Sequence, residues 1–141
     1  MLARGAAQFE RALADIAPLS GPPLERLRHA LRGQFEFLAS HPELVTLLSQ
    51  AARSDARPFT PAIKRLVVLL AEGQGLGEVR DDLDPHVTAA QALVLMVAYL
   101  QLESLIAASA APLGADEPTL RERWKDAAVD LVVNGVRAVS S

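Results

Sequence analysis

The stretch VRDDLDPHVTAAQALVLMVAYLQLESLIAASAA, residues 79–111, decides the fold. Asp84 followed by Pro85 marks a helix start, because the carboxylate accepts first-turn N–H groups that lack a helical partner and proline at the first helical position gives up no bond. A central helix is therefore expected over 85–111. From Ala92 to Leu100 it carries no charge and no side-chain amide, so more than one of its faces needs cover, from the rest of the chain or from a second copy.

Working outward, Thr60 before Pro61 repeats the cap-plus-proline start. The helix that follows turns Ile63, Leu66, Val67 and Leu70 inward and stops in Gly73, Gly75 and Gly77. Upstream, Leu2, Ala6, Phe9, Leu13 and Ile16 make one stripe of a helix over 2–17. Pro18, Gly21, Pro22 and Pro23 separate it from a second helix whose inner face holds Leu24, Leu27, Leu31, Gln34, Phe35 and Leu38. His41 with Pro42 breaks that helix, and Leu44, Leu47, Leu48 and Ala51 form a short third one to about Arg53, followed by a loop over 54–58. Downstream, 112–119 reads as a loop and 119–139 as the final helix. Six helices with short connections make an all-α, bundle-like single domain over 1–141.

The final helix has two apolar sectors. Leu120, Trp124, Ala127, Ala128, Leu131, Gly135 and Ala138 fall together at ~100° per residue, with Val129, Val132, Val133, Val136 and Val139 beside them. Arg123, Asp126, Asp130 and Arg137 form the solvated strip. Gly135 costs roughly 1 kcal/mol against alanine inside a helix, which makes sense where another backbone comes close. Two long helices with more apolar surface than one domain of this size covers predict a homodimer, with Leu102, Ile106, Trp124, Ala128, Leu131 and Gly135 at the interface.

Half of the 141 residues are hydrophobic, 4% are aromatic and none is cysteine, which removes disulfides and thiolate chemistry and fits a reducing cytoplasm. A net charge of −3 argues against a nucleic-acid surface on this chain. The N-terminus lacks the charged, apolar and cleavable parts of a signal peptide. The apolar run 92–100 is bounded by Gln91, Gln101 and Glu103 and falls short of the ~20 residues that span a bilayer, so no membrane partner is expected.

Little here carries reaction chemistry. His29, His41 and His86 have no second ligand at metal-binding spacing, and Glu78, Asp81, Asp82 and Asp84 read as helix-capping acids rather than a cation loop. No phosphate loop, nucleophile elbow or carboxylate pair appears, so no catalytic residue, metal or cofactor is expected. Sparse polarity on the apolar central helix is the informative feature. Ala92, Met96, Tyr99 and Glu103 share one side, and Gln34, Phe37 and His41 face them from the second helix. An apolar wall with a few fixed polar groups is what a small-molecule site needs. The ligand-binding candidates are thus Gln34, Phe37, His41, Met96, Tyr99 and Glu103. A helical dimerisation domain with a filled interior is the alternative. An enzyme working through His41 and Glu103 is a weaker one.

ASHPELVTLL at 39–48, the glycines with VRDDLDP at 73–85, the long apolar helix, and WKDAAVDLVVNGVRA at 124–138 together resemble the C-terminal domain of TetR-family transcriptional regulators. The resemblance covers Leu2 to Ala138. It implies a domain that dimerises through its last two long helices and holds a small apolar effector inside, with operator DNA bound by a separate N-terminal helix-turn-helix. That element is missing from these residues, as in a trimmed or late-starting chain, and the 2–17 helix resembles the remnant of the helix connecting the two domains. No DNA-contacting or ligand-contacting residue carries over from the resemblance.

Overall fold

Proline opens every helix completed among the described residues. In the computed structural model these are residues 21–53, 60–110 and 117–139, together with the helical positions Arg4, Ala7 and Arg11. They form α1 (Pro23–Ser40), α2 (Pro42–Arg53), α3 (Thr60–Gly75), α4 (Pro85–Ala110) and α5 (Glu117–Val136). Pro23, Pro42 and Pro85 are first residues, while Pro61 and Pro118 are second. The missing N–H costs nothing there, and the fixed φ is already helical. Asp84 caps α4, its Oδ1 accepting from His86 N–H at 2.9 Å. The result is an all-α fold. The expected helix over 2–17 lies outside the described residues apart from its exposed positions Arg4, Ala7 and Arg11, and the expected loop over 54–58 is outside them entirely.

Two boundaries differ from the sequence reading. α5 begins at Glu117 rather than Thr119, because Pro118 is tolerated in a first turn. It ends at Val136 rather than Val139, because the backbone beyond pairs with another segment. Val79 and Arg137 form an antiparallel bridge, with Arg80 N–H donating to Val136 O and Ala138 N–H to Glu78 O, both at 2.8 Å. Those bonds satisfy carbonyl and amide groups that a further α5 turn would have used.

The bridge sits in a tightly held connection between α3 and α4. Gly73 O accepts from Glu78 N–H at 2.9 Å and Val79 N–H at 3.1 Å, and Gly77 supplies the positive φ of 77° that the reversal needs. A side chain at Gly73 would put its Cβ within 3.2 Å of Val79 Cβ, and nearer still to Val79 Cγ2, so only glycine fits there without displacement. Gln74 Nε2 donates to Arg80 O and Leu83 O, and Arg80 forms a two-bonded ion pair with Asp82.

The main core joins α1, α3, α4 and α5 through Leu27, Leu31, Phe35, Leu66, Leu70, Met96, Tyr99, Val129 and Val133. A smaller core under α2 gathers Leu38, Leu44, Val45 and Ala51 against Val97 and Leu100. Outside the main core, α1 and α5 run antiparallel and are laced by Arg28–Asp130, Arg32–Asp126 and Glu36–Lys125. Burial pulls the Lys125 ammonium down, but hydrogen bonds to Glu122 and Glu36 outweigh it and leave the group above its ordinary value, charged at neutral pH.

Candidate functional site

The two apolar sectors of α5 have different fates. Val129, Val133 and Val136 are buried in the chain's own core, while Ala127, Leu131 and Gly135 face outward, Leu131 at 68% exposure. α4 divides in the same way. Ala89, Ala92, Met96, Tyr99 and Glu103 form its buried side, and Val87, Val94, Leu102 and Leu105 form an exposed stripe opposite, at helical spacing. By length and composition α4 is apolar enough to cross a bilayer, beyond what the 92–100 run alone indicates. It packs on α1, α3 and α5 with one side buried and leaves the opposite side bare.

Two grooves flank the α4–α5 pair. The first, of about 450 Å³, runs along the later part of α5 and the first turns of α4. Thr88, Gln91, Leu95, Leu131, Val132 and Gly135 line it, and Arg80 stands at its edge donating to Gly135 O at 3.3 Å. A Cβ added at Gly135 meets nothing within 4 Å, so none of the described residues requires glycine there.

The second groove, of about 430 Å³, lies at the other end of the pair, between the α1–α2 corner, the later part of α4 and the start of α5. Leu38, Ala39, Val45 and Leu100 supply apolar wall, and Thr46, Gln101, Glu103 and Arg121 supply polarity. Arg121 grips Glu103 with both arms, Nη2 to Oε1 at 2.6 Å and Nε to Oε2 at 3.1 Å. Gln101 Nε2 donates to Ser49 Oγ, tying α4 to α2.

Of the six ligand candidates, only Glu103 lines this groove. Gln34 and Tyr99 are buried and line neither groove, and Met96 borders a void of about 10 Å³, room for one water at most. Phe37 stacks on His41 at 4.2 Å, closing the α1–α2 corner, and His41 Nδ1 meets Phe37 O at 2.9 Å. The α1 ring that reaches Tyr99 is Phe35, at 5.9 Å, and not Phe37, because two residues along a helix turn a side chain by about 200°. Gln34 Oε1 and Trp124 Nε1 are buried with no hydrogen-bond partner among the described residues. No described residue of α3 lines this groove. Sequence reasoning missed Arg121, because no helical spacing relates it to Glu103, 18 residues earlier on a different helix.

Among the dimer candidates, Leu102, Leu131 and Gly135 are exposed, and Ile106 and Trp124 are half-buried, Trp124 stacked on Tyr99 at 4.6 Å. Ala128 is buried, covered by the chain itself, so it does not belong to an outer surface. No metal-holding group of three or more His or acidic residues occurs among the described residues.

Residues 23–132 match the family model described as the tetracyclin repressor-like, C-terminal domain. The chain belongs to this family. A search of curated proteins returns no match. Among solved structures, a protein of unknown function from Rhodococcus sp. RHA1 superposes with a TM-score of 0.75 at 17% identity, covering 96% of this chain and 70% of that one, a likeness of fold. The tetracyclin repressor-like C-terminal domain is a regulator-type ligand-binding and dimerisation domain.

Proposed function

We propose that this chain is the effector-sensing and dimerisation domain of a TetR-type transcriptional regulator. The observation that carries the reading is the division of α4: one side is built into the core beside a groove with a buried carboxylate, and the other is a bare apolar stripe, with Leu131 and Gly135 likewise exposed on α5. The bare stripe is the homodimer face, pairing α4 and α5 with their symmetry mates. The groove of Leu38, Val45, Leu100 and Glu103 takes a small, largely apolar effector; its volume is in the range of about 300–1,000 Å³ typical of such sites.

Because α4 and α5 wall both the groove and the dimer face, an effector that prefers one spacing of the pair shifts the dimer between orientations. Nearly complete switching takes about 5.5 kcal/mol of differential affinity. Operator binding belongs to a helix-turn-helix domain joined before α1, and the family setting is cytoplasmic, without enzymatic activity or cofactor. A thermal-shift screen with small apolar compounds tests the sensor role: the expected result is a subset that raises the melting temperature, lost in Thr46→Tyr, which fills the groove from its exposed rim. A broad panel with no stabilising compound contradicts the reading. The alternative, a dimerisation domain without ligand, rests on the filled interior around Met96 and Tyr99.

A further inference from the structure

The Glu103–Arg121 pair is asymmetric. The Glu103 side chain is 11% exposed and reaches the groove from α4, whereas the Arg121 side chain is 40% exposed and comes from the groove's outer edge. The inner partner is thus the anion and the outer partner the cation. These two are the charged side chains among the described residues lining the groove, and the remaining wall is mostly Leu38, Ala39, Val45 and Leu100.

The asymmetry selects the charge of what binds. A negatively charged guest has to draw Arg121 away and leave Glu103 inside without its counter-charge, the costly way to break a partly buried pair. A positively charged guest does the reverse: it takes over Glu103, and Arg121 swings into the solvent it already touches. An exposed guanidinium loses little on release, because exposed pairs contribute little to begin with.

We infer that Glu103 anchors a monocationic amphiphile, an aryl- or alkylammonium whose apolar body lies on Leu38, Val45 and Leu100, with Arg121 as the intramolecular competitor that holds the site until the guest arrives. This assignment rests on the groove being the effector site. It makes the guest's charge, and not only its apolar area, the signal: occupancy exchanges a link between α4 and α5 for a link between α4 and the ligand, at the helix pair that also forms the bare face.

The test is calorimetric titration of the full chain with three probes of the same shape: phenylbutylamine, protonated at neutral pH, phenylbutanol and phenylbutyrate. The amine is expected to bind at least about tenfold tighter than the alcohol, the increment of a charge-assisted hydrogen bond, with the carboxylate weakest. Two substitutions should move the amine in opposite directions: Glu103→Gln reduces it to the alcohol's affinity, and Arg121→Gln, which removes the competitor, tightens it. Should Glu103→Gln fail to fold, the Arg121→Gln arm decides alone. An amine no tighter than the alcohol, or weakened by Arg121→Gln, overturns the charge assignment and leaves the groove as effector site. If none of the three binds, the groove reading falls and takes this inference with it.

Discussion

The two grooves beside the α4–α5 pair have nearly the same volume, about 430 and 450 Å³, and opposite chemistry. One is enclosed by four helix segments and has a carboxylate at its inner wall, held by an arginine at the rim. The other is lined by Gly135, Val132 and the exposed Leu131 of α5, with Thr88, Gln91 and Leu95 across from them on α4. Volume alone does not say what a groove is for. A small guest needs a polar group that the chain has already desolvated, while a second copy needs apolar area and a place where backbones can meet.

The sharpest way to break this contrast is at Val133 and Leu131, two residues apart on α5. Val133 is fully buried, and Val133→Asp should cost about 4 kcal/mol or more in denaturant unfolding, since it strands a charge in the core. Leu131→Asp should keep the helical circular dichroism and reduce only self-association. Equal loss of folding from both would erase the distinction between a covered and a bare sector.

A smaller effect is expected where the connection between α3 and α4 fixes the end of the pair that carries the apolar groove. Gly73→Ala forces its Cβ against Val79 and should lower stability by about 1–3 kcal/mol, measured by chemical denaturation; a neutral outcome would mean that the connection yields easily. At the other end, Glu103→Gln removes one partner of a pair whose arginine is well exposed, so after screening the expected cost is about 1 kcal/mol.

The smallest effect concerns pH. Hydrogen bonds from Arg80 hold the Asp82 carboxyl below its usual range, so its contribution to the connection is complete above that range and disappears as pH falls through it. Amide exchange at Arg80 and Ala138, whose N–H groups make the bridge, should therefore lose protection below about pH 4 in the parent and show a weaker pH dependence in Asp82→Asn. The same acid response in both would remove Asp82 from the account.

Much of the fold is legible in local chemistry. Asp84–Pro85 and His41–Pro42 set helix boundaries that need no tertiary partner, and the stripe Leu24, Leu27, Leu31, Phe35 and Leu38 is fully buried as its spacing requires. What periodicity cannot decide is which of two adjacent apolar sectors faces inward. On α5 the valines face inward and the leucine-glycine sector outward, an orientation with which the exposed Arg28–Asp130 and Arg32–Asp126 pairs to α1 agree. The site was harder still. Gln34, Met96 and Tyr99 share the right side of their helices and end as filled core, whereas Arg121 meets Glu103 from a different helix, a pairing no local periodicity encodes.

The account stands on α4 and α5 offering their bare sides to a second copy, and light scattering at micromolar concentration tests it most directly. The chain's mass is 15.1 kDa, and the account predicts twice that value, reverting to the single-chain mass in Gly135→Leu, a substitution the chain itself has room for. A single-chain mass for the parent, or a dimer untouched by Gly135→Leu, would contradict it.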